Sequence, residues 1–209
     1  MFGANWQVRL GPLRTAAGTV QLRPIRARDA RQWSRLRQLN RVELQPWEPS
    51  GEPDWARRHA PTAWPPLCAS LRAQARSGTL VPLVIEVDGQ YSGQITIGNI
   101  ARGQLQSAWV GYWVDRRVTG KGVATAAVAL AVDHSFRGLG LHRVEATVRP
   151  ENAGSRAVLA NSGFREEGHL KRYLHVDGIW RDHLLMALTA EEVVDSMVAR
   201  LVRSGRAWF

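Results

Sequence analysis

The sequence predicts a mixed α/β (α+β) fold, a sheet covered by helices. Three observations predict it. Two Asp-Gly pairs, Asp88-Gly89 and Asp177-Gly178, each separate a pair of alternating apolar runs, the signature of a two-residue hairpin. Helical spacing of apolar residues holds over residues 28–39 and 123–136. Strands and helices do not alternate regularly, so a doubly wound series of βαβ units is excluded.

Taken in order, residues 1–19 are a polar, glycine-containing lead-in. Val20–Ile25 alternates and reads as a strand. Arg28-Asp29 opens a helix with Trp33, Leu36 and Leu39 on one face. Residues 40–53 hold Pro46, Pro49, Gly51 and Pro53 and read as a stiff loop carrying Trp47 and Glu48. Pro65–Ser77 is helical and closed by Gly78. Val81–Val87 and Gln90–Ile97 form a hairpin, and Arg102-Gly103 turns into a long strand, Gln106–Val114, which reads as buried from Trp109 onward. Val123–Phe136 is an Ala- and Val-rich helix. Arg143–Val148 is a strand. A helix begins at Pro150-Glu151-Asn152 and ends at Gly163, a residue suited to a left-handed cap. Phe164–His175 and Ile179–Leu188 form the last hairpin, and Ala190–Arg203 is an amphipathic helix. The expected organisation is one domain over 1–209, with a lead-in at 1–19 and a helical tail at 190–209.

The chain has 209 residues, 44% of them hydrophobic and 22% charged, enough to bury one core. No apolar run approaches the roughly 20 residues that span a bilayer, so no membrane association is expected. Met1–Arg14 has no apolar stretch of the signal-peptide kind. The single cysteine, Cys68, can form neither an internal disulfide nor a cysteine metal site. These features predict a cytoplasmic protein, and no metal is expected. The net charge of +10 comes almost wholly from arginine, since Lys121 and Lys171 are the only lysines. The arginines are scattered, so contact with nucleic acid is a secondary expectation beside an ordinary solvated surface.

The turn after the long strand is the densest signal. Thr119-Gly120-Lys121-Gly122-Val123-Ala124-Thr125 links a strand to a helix start. Consecutive N–H groups at a helix start, with the helix dipole behind them, bind an anion. Glycine permits close approach of a pyrophosphate. Lys121 is followed by Gly122, not Ser or Thr, and no third glycine follows, so neither the P-loop nor the dinucleotide fingerprint fits. The same turn also serves a tight strand–helix connection, and on its own it leaves both readings open. At the next strand–helix junction Asn152 suits an N-cap and Ser155 lies in the first turn. Two successive polar helix starts fit an extended ligand between diverging strands.

These residues, with Arg149-Pro150-Glu151-Asn152, Ser155, Val158-Leu159 and Gly163-Phe164, resemble the GNAT superfamily of N-acetyltransferases. The segments Asn40-Arg41 through Pro46-Trp47-Glu48-Pro49, and Tyr173-Leu174 through Asp177-Gly178 to Trp180-Arg181-Asp182-His183, are similar to its ribosomal-protein-alanine (RimJ-type) subgroup. The resemblance runs from Val20 to Leu188. It implies a mixed, mostly antiparallel seven-stranded sheet, splayed between the fourth and fifth strands, with helices on both faces. It implies acetyl-CoA (coenzyme A) as co-substrate, with Trp113 and Val114 on the pantetheine, residues Thr119, Gly120, Lys121, Gly122, Val123, Ala124 and Thr125 on the phosphates, Asn152 on the pantetheine arm and Ser155 near the sulfur. One departure is Thr119, where the family turn usually begins with Gln or Arg.

The implied reaction is direct attack of a primary amine on the thioester in a ternary complex, most directly the N-terminal α-amine of a ribosomal protein. It needs a neutral amine, a donor to the developing oxyanion and a proton for the thiolate. A backbone N–H near Val114 is the expected oxyanion donor, and Ser155 is the candidate for protonating or hydrogen-bonding the leaving thiolate. Glu48 is a candidate base on the loop crossing the acceptor groove. Where relatives carry a strand Glu, this chain has Lys171-Arg172-Tyr173-Leu174, which makes Tyr173 the third catalytic candidate. Asp182 and His183 remain open as bases, and Cys68 is expected to pack inside. An α-amine with a pKa of about 7.7–8.0 is roughly 10–20% neutral at pH 7, and a lysine amine only about 0.04%, so a weak base suffices for an N-terminus. Alternatives are an antibiotic or metabolite amine, a succinyl donor, or a ribosome- or RNA-binding module without catalysis. The expected state is a monomer or homodimer.

Overall fold

The computed structural model describes residues 6–208. Eight strands form one sheet: β1 (Leu10–Thr15), β2 (Gly18–Pro24), β3 (Val81–Val87), β4 (Gln90–Ala101), β5 (Ser107–Val114), β6 (Arg143–Val148), β7 (Arg165–Val176) and β8 (Ile179–Thr189), in spatial order β1-β2-β3-β4-β5-β6-β8-β7. All neighbours are antiparallel except β5 and β6. Among the described residues seven α-helices accompany them: α1 (Ala30–Leu39), α2 (Arg41–Leu44), α3 (Trp55–Arg58), α4 (Trp64–Arg76), α5 (Val123–Asp133), α6 (Ala153–Asn161) and α7 (Met197–Arg203).

The hairpins follow from their turns. Asp88 and Gly89 have φ of 48° and 76°, and Asp177 and Gly178 49° and 80°. Both pairs take the left-handed values that match a two-residue turn to the sheet twist. Period-two alternation then sorts the core into two layers. Leu83 and Ile85 of β3 join the layer under α5 and α7, with Val123, Ala127, Met197 and Leu201. Val84 between them faces the other layer, with Trp33 and Leu36 of α1, Trp64 and Cys68 of α4, and Tyr91. Cys68 is thus a buried packing residue. α5 is buried nearly all round, which explains its Ala and Val content.

Several expectations need correction. The sheet has eight strands, not seven, because the 1–19 lead-in contains β1; residues 1–5 of it lie outside those described. β1 is an edge strand with only Leu13 and Thr15 buried, and Gly11-Pro12 hides its alternation. The loop at 40–53 holds α2 and a 3₁₀ turn, Gln45–Trp47, and α3 follows it. Leu39 faces solvent. Trp109 is 42% exposed and no core residue. The tail is broken: a 3₁₀ turn, Ala190–Glu192, precedes α7. Ser196 accepts from Ala199 N (2.9 Å), and Asp133 at the end of α5 accepts from Met197 N (2.7 Å) and Val198 N (3.0 Å). These acceptors satisfy the first amides of α7 and fix its start.

Candidate active site

β5 and β6 are paired only from Ser107–Arg143 to Trp109–Glu145, while β5 runs on to Val114 and β6 to Val148. On its other edge β5 stays paired with β4 as far as Gly93–Val114. One edge of residues 110–114 therefore carries backbone groups with no strand partner, facing a gap. A cleft of about 1260 Å³ occupies this gap, above the roughly 300–1,000 Å³ of an ordinary ligand pocket. It is the splay expected between the fourth and fifth strands, which are β5 and β6.

The cleft brings together Trp113, Val114, all of residues 119–125, Asn152, Ser155, Glu48, Tyr173 and His183. Gly120 and Gly122 have φ of 71° and 83°, and Gly122 is the N-cap of α5. Both take a conformation that costs any other L-residue, and they turn the first amides of α5 toward the gap. Thr119 folds back, its Oγ1 donating to Arg116 O at 2.7 Å, and Lys121 Nζ donates to Arg117 O at 3.1 Å. Those contacts brace the turn, while the Lys121 ammonium keeps two further donors beside the backbone amides. Behind it, Asn40 is fully buried. Its Oδ1 accepts from Arg116 N (2.7 Å), and its Nδ2 donates to Leu36 O (2.8 Å) and Asp115 Oδ1 (3.3 Å). Asn40 thereby ties the end of α1 to the base of the turn.

On the facing wall, Asn152 Oδ1 accepts from Ser155 N at 3.0 Å, so that oxygen caps α6. Ser155 Oγ lies 2.9 Å from the hydroxyl of Tyr112 on β5. Burial pushes Tyr112 up to about 12 against the hydrogen bond with Ser155, so it stays protonated. Tyr112 was absent from the sequence-derived candidates; an aromatic residue within a strand carries no signal of what it meets across a gap.

Glu48 sits at the far end, but not as a free carboxylate. It pairs with Arg37 and, at 3.1 Å, with Arg58. Arg37 lies 5.2 Å from the ring centroid of Trp55 and 5.1 Å from that of Trp113. Its Nη2 donates to His59 Nε2 at 3.0 Å, while His59 Nδ1–H donates to Trp55 O at 3.1 Å. Burial, then the charge of Arg37, pushes His59 down to about 4. A neutral ring with Nε2 as acceptor is no ion-pair partner for Glu48.

Asp182 and His183 are adjacent on β8 and point to opposite faces. Asp182 pairs with His169 at 3.1 Å and accepts from Arg172 N at 2.8 Å. His183 is buried and lines the cleft, its ring 5.6 Å from Tyr173 in an edge-on arrangement. With Nδ1–H donating to Arg181 O at 3.1 Å, its Nε2 is left as an acceptor. Burial holds its pKa below 6.5, with Arg149 adding to the effect.

The far end of the cleft is roofed. Pro49 bridges Val176, Ser50 N donates to His175 O (2.8 Å), Gly178 N donates to Ser50 Oγ (3.1 Å) and Gln45 Nε2 donates to Asp177 Oδ1 (3.3 Å). Arg149 closes the arch from below, donating to Pro46 O at 2.8 Å with its guanidinium 5.1 Å from the Trp47 ring centroid. Among the described residues no group of three His, Cys, Asp or Glu could hold a metal ion, and no helix is long and apolar enough to cross a membrane.

Comparison with known proteins matches residues 19–165 to the acetyltransferase (GNAT) domain family. The structure of Mycobacterium smegmatis RimJ in complex with CoA-disulfide superposes with a TM-score of 0.96 at 59% identity, covering 98% of each chain. The [ribosomal protein uS5]-alanine N-acetyltransferase of Escherichia coli (strain K12) is 29% identical over 194 residues, 92% of this chain and 97% of that protein. The probable N-acetyltransferase YjcK of Bacillus subtilis (strain 168) is 43% identical over 101 residues, 48% of this chain and 56% of that protein.

Proposed function

The chain belongs to the acetyltransferase (GNAT) domain family, and on that premise we propose that it acetylates the N-terminal α-amine of a protein, with an N-terminal alanine of a ribosomal protein as the leading acceptor. Acetyl-CoA, when bound, supplies the reactive thioester. The residues fit such a donor: the unpaired edge of residues 110–114 suits the amides of a pantetheine arm, and the glycine turn with the start of α5 suits its pyrophosphate.

The acceptor reading rests on the arch between residues 45–50 and 175–178. A roofed opening admits a chain end and hinders a lysine presented from a folded surface. His183 Nε2 takes the proton of the attacking amine, directly or through water. Glu48, paired with Arg37 and Arg58, fixes the loop that crosses the far end of the cleft. As the C–S bond breaks, Ser155 gives its proton to the departing thiolate and regains one from water, and a backbone N–H near Val114 faces the oxyanion. A succinyl donor would need an uncommitted cation near the acyl group, whereas Arg37 is held by Glu48 and Arg149 by Pro46 O and Glu151. A role as an RNA-binding module without catalysis does not suit a member of this family with this cleft.

The test is an acetyl-transfer assay on peptides with a free N-terminal alanine, beside Nα-blocked peptides bearing lysine and small amines such as polyamines. The reading expects a mass shift confined to the free α-amine. Rapid acetylation of the small amines with none of the peptides would overturn it.

A further inference from the structure

Residues of β5 alternate between the two faces of the sheet. Tyr112 reaches Ser155 on the side of α5 and α6, the side of the glycine turn. Trp109, Gly111 and Trp113 face the opposite side, the side of Arg37 and Glu48. The register sets Gln94 beside Trp113, Thr96 beside Gly111 and Gly98 beside Trp109. On the other flank Glu145 sits beside Trp109. Together these residues make an open trough leading away from the roofed end.

The indole of Trp109 lies flat on this trough. A Cβ on Gly98 would sit 2.4 Å from the ring and one on Gly111 2.9 Å from it, too close in either case. Neither glycine has a positive φ, so backbone conformation does not demand them. A strand glycine costs roughly 0.5–1 kcal/mol relative to Ala. Two of them kept bare beneath one tryptophan, which remains 42% exposed in the cleft, mark a built surface.

We propose that Trp109, seated on Gly98 and Gly111, is the shelf that holds the acceptor polypeptide beyond its reactive amine, taking an apolar or planar side chain of an extended N-terminal segment. This rests on the N-terminal acceptor reading and adds to it a specificity position. Trp109 lies three steps along the strand before Tyr112, about 10 Å at roughly 3.3 Å per residue. An extended acceptor whose first residue lies at the reaction centre therefore places its third or fourth residue on the indole. The arch leaves the trough as the open route for the rest of the chain.

The experiment compares Trp109→Ala and Trp109→Phe with the parent protein on two acceptors with free N-terminal alanine: a dipeptide, and a hexapeptide with leucine at positions three and four. Trp109→Ala should raise KM for the hexapeptide about 10-fold with kcat nearly unchanged. KM for the dipeptide and for acetyl-CoA should hold within about twofold, and Trp109→Phe should restore most of the hexapeptide affinity. Thermal melts and acetyl-CoA binding confirm that each variant is folded. An unchanged hexapeptide KM, or equal losses on both acceptors, overturns the shelf while leaving the α-amine reading standing. If the parent protein neither binds nor acetylates either peptide, the α-amine reading fails and the shelf with it.

Discussion

The hydroxyl of Tyr112 on β5 lies 2.9 Å from Oγ of Ser155 on α6, so one hydrogen bond spans the cleft where its two walls diverge. Tyr112 is held protonated and also lies within 3.4 Å of Ser155 O. Either hydroxyl can donate in this contact, and when Tyr112 does, the proton of Ser155 turns toward the cleft. Ser155→Ala should lower kcat by about 10²–10⁴-fold, the usual range for a lost acid–base group. Tyr112→Phe keeps the ring and removes the orienting donor, and should lower kcat by about 10-fold, one neutral hydrogen bond, with KM for acetyl-CoA little changed. Steady-state kinetics check both. Full activity in Ser155→Ala would remove it from the mechanism.

His183 predicts the pH dependence. It must be neutral to accept a proton, and burial keeps it neutral down to below 6.5. The acceptor α-amine must also be neutral, with a pKa near 7.7–8.0. Below both values each site must lose a proton, so log kcat/KM should rise with a slope approaching two. His183→Gln should leave a slope of one and a lower plateau. The same slope for both proteins would assign the base elsewhere.

Gly122 adopts φ of 83°, and an added Cβ would meet Arg206 O and the Thr15 side chain at no less than 3.7 Å, ordinary contact distance, so replacement acts through the backbone. Gly122→Ala should cost about 1–2 kcal/mol of stability and raise KM for acetyl-CoA several-fold, because the amides at the start of α5 rotate off the ligand. Denaturant melts and acetyl-CoA titration read the two effects separately.

What could be read from residue order has a common physical cause. The Asp-Gly hairpins, the glycine turn and the caps at Asn152 and Gly163 are local, each set by a few residues whose backbone preferences dominate. β1 escaped because Gly11-Pro12 interrupts an edge strand with little to bury. The break before α7 escaped because its first amides are met by Asp133, more than sixty residues away. The same distance rule governs the site. The two polar helix starts that line the cleft lie on adjacent strand–helix units and were legible. Glu48's embrace by Arg37 and Arg58, the neutrality of His183 and the Tyr112–Ser155 bond arise from elements that meet only in the folded chain.

Asn40 joins two parts of the molecule that must hold register, helix α1 and the glycine turn. Asn40→Ala leaves the Arg116 N–H without its acceptor and takes one donor from Asp115. Unpaired buried groups cost about 1–3 kcal/mol each, so the variant should unfold at clearly lower denaturant. The loss should also depend on pH. Burial tends to raise the pKa of Asp115, but the Arg117 side chain and amide, with Asn40, outweigh it and leave it lowered. A carboxylate with a folded pKa below its unfolded value stabilises the fold above that unfolded value, near 3.9, and loses this as pH falls through the folded pKa. Removing Asn40 moves the folded pKa upward, so acid unfolding of Asn40→Ala should begin at higher pH than in the parent chain. Circular dichroism across an acid titration reads this onset. Coincident onsets would mean that Arg117 alone holds Asp115 charged, and that Asn40 serves the turn only through Arg116.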